Sequence, residues 1–211
     1  ILLKDSTLLT LNDFGQGSKS IKSKKITLKK LTKKVQSTPN KAQLLFKLVN
    51  YFQCTNILEI GTSLGLTTAY LSNANKKASI TTIEGDPIIY KLAHANFKKL
   101  GLKNIKIINS SFDETLPKLI KNKFDLIFFD GNHSKEATLK YFNWSLEYLN
   151  DEIIFVFDDI YWSKGMRSAW DEISKSPSVK LSLDLFSLGI IFFKNNREKE
   201  HINLIHLCNF Y

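Results

Sequence analysis

From residue 56 onward, short apolar runs alternate with helix-spaced stretches, and this repetition constrains the fold more than any other feature of the chain. Strands are expected over residues 56–61, 79–84, 105–109, 124–130 and 152–158. Helices are expected up to residue 73 and over 87–100, 115–121, 135–149 and 164–175. Such regular βα alternation implies a parallel, doubly wound sheet with helices on both faces. The runs Leu126-Ile127-Phe128-Phe129 and Ile153-Ile154-Phe155-Val156-Phe157 are apolar throughout, as strands covered on both sides should be. The end departs from the pattern. Residues 179–185 and 188–194 read as two strands too close together for a crossover helix, so they are expected to form an antiparallel hairpin.

Composition sets the outer limits. The chain has 211 residues, 43% of them hydrophobic and 24% charged. That excludes a disordered chain, a collagen-like repeat and a small disulfide scaffold. No stretch approaches the roughly 18 uninterrupted apolar residues of a membrane helix, and no leader-like pattern opens the chain at Ile1. Cys54 and Cys208 fit neither a metal spacing nor a bridge framework, so a reducing cytoplasm is the expected location. The formal charge of +10 is concentrated in the first 41 residues, which hold ten lysines against Asp5 and Asp13. Arginine occurs only at Arg167 and Arg197, whereas phosphate and guanine readers favour the bidentate guanidinium. Nucleic acid is therefore not the favoured partner.

Two units are expected: a basic N-terminal extension over residues 1–38 and a catalytic domain over 39–211. Within the extension, the apolar spacing suggests a short amphipathic helix near 24–36. Asp13 to Ser18 reads as a flexible turn able to act as a lid. Thr38-Pro39 reads as a helix start.

In an open α/β sheet, ligands bind outside the carboxyl ends of the strands. The polar residues there are Glu59, Gly61 and Gly65 after the first strand, Glu84 after the second and Ser110-Ser111 after the third. Asp130 and His133 follow the fourth, and Asp158-Asp159 the fifth. Gly61 lets the backbone turn sharply beside a ligand, and Gly65 lets the next helix begin close to it. Ser63 and Leu66 break the three-glycine dinucleotide fingerprint, and no Walker lysine follows Gly65. Glu84, 23 residues after Gly61, is placed to accept both ribose hydroxyls. Together these features suggest a nucleoside ligand without a bridging phosphate.

The stretch Glu59-Ile60-Gly61-Thr62-Ser63-Leu64-Gly65-Leu66-Thr67, with Ile83-Glu84 and Ser111-Phe112-Asp113, resembles class I S-adenosylmethionine-dependent methyltransferases. Within that class these residues look like the catechol and caffeoyl-CoA type of O-methyltransferase. Asp130-Gly131-Asn132-His133 with Asp158-Asp159 is also similar to bacterial methyltransferases carrying an Asp-Gly-x-His signature. The resemblance covers about residues 40–194. It implies a seven-stranded Rossmann-like sheet with adenosylmethionine as cofactor. Glu59, Gly61 and Thr62 would surround its methionine part, Glu84 its ribose, and Ser111 and Phe112 its adenine, with Gly65 in the same cofactor loop; orienting the ammonium is the alternative role of Asp130 to metal binding.

The acceptor chemistry lies at the fourth and fifth strand ends. Asp130, Asp158 and Asp159 are expected to converge, which suits a hard cation such as Mg²⁺. Asp159 departs from the asparagine that the metal-dependent relatives usually carry. His133 stands where that family has a lysine base, and a histidine exchanges a proton near neutral pH. Trp162, in the loop after the acidic pair, is the candidate wall for a flat acceptor. His94, His201 and His206 read as structural, and Trp144 and Trp170 as packing residues.

The expected function is methyl transfer from adenosylmethionine to a small-molecule hydroxyl, with metal assistance as an open element. Three alternatives stand beside it: a nucleic-acid methyltransferase using the lysine-rich segment, a non-catalytic binding module of the same fold, and an NAD-dependent oxidoreductase. No membrane partner is expected, and a homodimer contact would fall on the N-terminal helix.

Overall fold

The computed structural model describes residues 2–11, 24–35, 39–194 and 198–204. Five parallel strands form the centre of one sheet: β3 (Asn56–Ile60), β4 (Ser79–Glu84), β5 (Ile105–Asn109), β6 (Leu126–Phe129) and β7 (Ile154–Asp158). β8 (Leu181–Asp184) and β9 (Leu188–Phe192) are the expected hairpin, and β9 runs antiparallel to both β7 and β8. The full order is β5-β4-β3-β6-β7-β9-β8-β10, where β10 is Glu200–Asn203. The sheet thus has eight strands, not the expected seven. The extra one adds to the edge in parallel with β8, from Glu200 beside Leu181 to Asn203 beside Asp184. All four of its residues are exposed, so no apolar alternation announced it.

Strand parity explains the continuous apolar runs. In β7, Phe155 and Phe157 join one core layer while Ile154 and Val156 join the other. β6 divides likewise, with Ile127 and Phe129 on one face and Leu126 and Phe128 on the other. Successive side chains point to opposite faces, so a strand with a layer on each side has no polar position to offer.

Helices α2 (Pro39–Tyr51), α3 (Leu66–Ala74) and α4 (Pro87–Lys99) follow the expected pattern. So do α5 (Phe112–Leu119), α6 (Lys135–Leu146) and α7 (Lys164–Lys175). Several begin at a side-chain cap just past a strand. Asp86 accepts the N–H groups of Ile88 and Ile89 ahead of α4, and Ser134 and Ser163 cap α6 and α7. α5 starts three residues earlier than expected because Ser111 caps it by accepting from Glu114 N. Such caps satisfy N–H groups that have no partner within the helix.

The N-terminal segment departs most from expectation. A single helix near 24–36 is replaced by strand β2 (Lys24–Thr27), paired antiparallel with β1 (Leu8–Leu11), and by the shorter helix α1 (Leu28–Val35). Leu9, Leu28 and Leu31 bury themselves against Leu64 and Ile89, which docks this unit onto α4 and the loop after β3. The Asp13–Ser18 turn, Thr38, His206 and Cys208 lie outside the described residues. Among the described residues, no helix is long and apolar enough to cross a membrane.

Candidate active site

The chain runs from β3 outward through β4 to β5, then returns to place β6 on the other side of β3. Strand order therefore reverses between β3 and β6, and a crevice at their carboxyl ends is the expected ligand site of such a sheet. Gly61 and Asp130 face each other across it. Gly61 has φ +110°, and a Cβ there would lie 2.2 Å from the Asp130 carbonyl oxygen. That carbonyl cannot withdraw easily, because Asp130 N donates to Ile60 O at 2.9 Å. Gly65, at φ +79°, ends the loop, and a Cβ on it would meet the Phe97 ring at 2.4 Å. Both glycines thus let the loop pack tightly, Gly61 against the Asp130 backbone and Gly65 against Phe97.

Glu59 is wholly buried. It shares a face of β3 with Ile57, so parity points it inward under the loop. Its Oε2 accepts from Thr68 Oγ1 at 2.5 Å and Thr82 Oγ1 at 2.7 Å. Thr82 is in turn hydrogen-bonded to Thr62 Oγ1 at 2.6 Å. Glu59 Oε1 has no partner among the described residues. An unpaired buried oxygen is costly, so a donor brought into the crevice has a ready acceptor. Burial pushes the Glu59 carboxyl up to about 7 from its usual 4.5, against the two threonine hydroxyls that favour the charged form. Between those two values the unfolded chain releases a proton that the folded chain retains, so stability falls as pH rises across that window. Glu59→Gln is expected to remove about 2–3 kcal/mol of this fall. Urea denaturation at pH 5 and pH 8 measures it; an unchanged pH dependence would contradict the assignment.

Glu84 is fixed by two backbone donors, Ser63 N to Oε2 and Asp86 N to Oε1, each at 2.9 Å. Each oxygen has a second lone pair for a further donor. Burial pushes this carboxyl up to about 7 as well, opposed by the Asp86 and Ser63 N–H groups. Ser111 and Phe112 begin α5 at the end of β5. The Phe112 ring lies over Gly131, whose Cβ would fall 2.5 Å from Cε2, and meets Tyr141 edge-on with centroids 6.0 Å apart. Four strand ends thus bring the sequence-selected cofactor residues to one rim.

The acidic cluster differs from expectation. Asp158 continues the Ile154–Val156 face of β7 toward α2, and Lys41 projects from the first turn of α2 to meet it. Lys41 Nζ lies 2.6 Å from Asp158 Oδ1 and 2.8 Å from Asp159 Oδ1. Among the described residues, no three His, Cys, Asp or Glu side chains are grouped to hold a metal ion. Asp130, Asp158 and Asp159 therefore do not form the expected Mg²⁺ site; an ammonium stands between the last two. Asp130 is pushed well above the usual carboxylate range by burial and then by the Asp158 charge, with Glu59 adding and Lys41 opposing. A cation brought against Asp130 would draw it back to its ionised form.

His133 follows a turn with Asn132 at φ +51°, directly before the α6 cap. Its Nε2 lies 3.7 Å from Asp130 Oδ1, and both side chains reach solvent. Trp162 is 66% exposed on the loop after β7, tied to it by Trp162 N donating to Asp159 O at 2.8 Å. Tyr161 is instead engaged, stacked on Phe186 at 4.8 Å and covered by Arg167. A cavity of about 360 Å³ opens beside Asp130, Thr62 and Ser63 and runs between Leu66, Leu100 and, from the N-terminal segment, Leu3 and Thr32. Trp170 is buried in the core and Trp144 packs against it. His94 stacks on Tyr90, and His201 bonds Ser182 Oγ.

Sequence reasoning missed Lys41 and the Thr62–Thr82–Glu59–Thr68 network. A signal for Lys41 was present: it lies four residues before Leu45 on the stripe formed with Leu48 and Val49, an unusual place for a charge. Nothing local marked the threonines, since β4 and α3 meet β3 only in the folded sheet.

Comparisons with known proteins agree with this fold. A family model described as a methyltransferase domain matches residues 58–160. The chain is 29% identical over 151 residues to a catechol O-methyltransferase of Niastella koreensis, covering 69% of this chain and 66% of that one. A second relative, from Mycobacterium sp. (strain JLS), is 28% identical over 98 residues and is covered over 44% of its length. The chain thus spans about two thirds or less of these curated relatives. Among solved structures, an O-methyltransferase from Bacillus cereus in complex with SAH has TM-score 0.64 at 21% identity, over 75% of this chain and 83% of that one. The SAH-bound Podospora anserina methyltransferase PaMTH1 has TM-score 0.67 at 23% identity, over 77% and 81%. Residues 58–160 thus match a methyltransferase-domain model, and the chain has the Rossmann-like fold of these O-methyltransferase structures.

Proposed function

We propose that this chain transfers the methyl group of S-adenosylmethionine to a hydroxyl oxygen of a small molecule. The observation that carries the reading is the crevice at the strand-order reversal, where Gly61 closes on Asp130, with Glu84 at the end of β4 and His133 3.7 Å from Asp130. Adenosylmethionine, when bound, supplies a methyl group already activated on a sulfonium. The residues at the rim then have to hold it, align the acceptor and take one proton.

In this proposal Glu84 receives the ribose hydroxyls, and the Phe112 ring with Ser111 flanks the adenine. Thr62 and the Gly61–Gly65 loop enclose the methionine part. Glu59 acts from beneath, stiffening that loop and offering Oε1 to a donor. Asp130 faces the ammonium. His133, with Nε2 turned to Asp130, accepts the acceptor's hydroxyl proton as the oxygen–methyl bond forms and the sulfur–methyl bond breaks. The positive charge formed on the imidazole faces the Asp130 carboxyl. Trp162 supplies an exposed ring for a flat acceptor. The described part of the N-terminal segment acts as the cover: Leu3 and Thr32 wall the cavity that opens at Asp130. No step passes through a divalent cation.

Titration calorimetry with S-adenosylhomocysteine and with NAD tests the class, and heat from NAD alone would reject it. A panel of catechol, phenol and aliphatic hydroxyl acceptors then tests the transfer; no methylated oxygen on any would leave only a binding module. The Glu84 carboxyl adds a pH signature. An ionised carboxylate is the stronger acceptor for hydroxyls, so the homocysteine product should bind more tightly as pH rises through about 7. Glu84→Gln should weaken binding at pH 8 by about 10- to 100-fold and flatten that profile. Equal affinities for the two proteins at pH 8 would remove Glu84 from the ribose.

A further inference from the structure

The residue that the methyl-transfer reading leaves unused is also the best-anchored charge on the rim. Lys41 is 13% exposed, and it meets an Asp158 carboxylate that is 5% exposed. Asp158 Oδ1 accepts from both Lys41 Nζ and the backbone N–H of Asp159, at 2.6 and 2.9 Å. Asp159 is held in turn by a left-handed φ of +52° and by its N–H donating to Ser187 O. The Asp158 carboxylate is therefore held by a backbone N–H, the Asp159 backbone is anchored beside it, and the ammonium is seated between the two side chains. Burial works against the charge on Lys41, but Asp158 and Asp159 outweigh it and hold the amine above its usual pKa.

A hard divalent cation would have to coordinate these same oxygens, at about 2.0–2.1 Å for Mg²⁺. Nζ already stands within hydrogen-bonding distance of both, so a metal ion and the ammonium compete for one position. The ammonium is part of the chain and pays no association entropy, whereas an ion must first be dehydrated.

We propose that Lys41 is the resident cation of this rim: its ammonium occupies the position between Asp158 and Asp159 that a divalent ion would need, and excludes that ion. Methyl transfer is then insensitive to chelation. The kinetic part of this inference rests on the methyl-transfer reading, while the cation-binding part stands without it.

The test is Mn²⁺ titration of the full chain, with free Mn²⁺ followed by electron paramagnetic resonance. The unsubstituted protein should take up no stoichiometric Mn²⁺ up to about 1 mM. Lys41→Met leaves two carboxylates without a counter-charge, next to Asp130, and should gain one Mn²⁺ site at least about 10-fold tighter than any in the parent. Adding Asp158→Asn to that variant should abolish the gain, and Lys41→Arg should behave as the parent. One tightly bound Mn²⁺ in the unsubstituted protein would overturn the proposal, and so would a Lys41→Met chain that still binds S-adenosylhomocysteine yet takes up no metal. Should Lys41→Met not fold, the parent titration decides alone. In the kinetic arm, EDTA should change turnover less than twofold, by about the reproducibility of such assays; loss of turnover that Mg²⁺ restores would also overturn it. Failure of the parent to bind S-adenosylhomocysteine would reject the methyl-transfer reading and leave the Mn²⁺ result standing.

Discussion

Gly61→Ala is expected to abolish detectable S-adenosylhomocysteine binding and to destabilise the domain by about 3 kcal/mol or more. Two independent penalties add. Gly61 sits at φ +110°, a conformation that a residue with a Cβ adopts only under strain. The new methyl would also start 2.2 Å from the Asp130 carbonyl oxygen and 2.8 Å from its carbon, both backbone atoms. Neither can move without opening the β3–β6 pairing, because Asp130 N is bonded to Ile60 O at the end of that ladder. The loop would shift outward instead, taking Thr62 and Ser63 from their bonds to Ile83 O and to Glu84. The chemical denaturation midpoint and cofactor-product calorimetry measure both effects. A folded variant with near-parental affinity would mean the ligand does not enter at this crevice.

His133→Ala should lower kcat by about 10²- to 10⁴-fold, the usual worth of a positioned acid–base group. Affinity for S-adenosylhomocysteine should stay within about threefold, a difference below 1 kcal/mol. The reasoning is geometric. His133 lies 3.7 Å from Asp130 and is partly exposed, so its loss opens no buried cavity. The acidic limb of the pH–rate profile should go with the side chain, because protonation of a base is what stops catalysis at low pH. Unchanged turnover would transfer proton acceptance to solvent. A parallel loss of cofactor affinity would instead assign His133 to binding.

Much of the site was legible because its signals are local. A short apolar run followed by a capping Ser or Asp and a helical stripe marks a strand end whatever the strand's neighbours are. Glu84, Ser111, Asp130, Asp158 and Trp162 could therefore be assigned to one rim before any pairing was known. The hairpin of β8 and β9 was legible for a related reason, since its short connection leaves no room for a crossover. β10 and the β1–β2 pair were not, because four-residue strands with little apolar alternation have no periodicity to read.

The roles of the buried charges belong to a different category. Glu59 looked like a ligand residue from its position in the loop motif, and its full burial follows from which neighbours its face of β3 meets. The three aspartates looked like a metal site from residue type and order. Their counter-charge comes from Lys41, 117 positions before Asp158, on a helix whose docking against the end of β7 no local pattern states. By itself, the amino-acid order determined the class of sheet, the rim on which chemistry gathers and the glycines of its loop, since these follow from backbone preference and apolar periodicity. Only the tertiary structure decided which carboxylates are buried and which face an ammonium, because electrostatic pairing depends on distances across the sheet that short-range sequence does not encode.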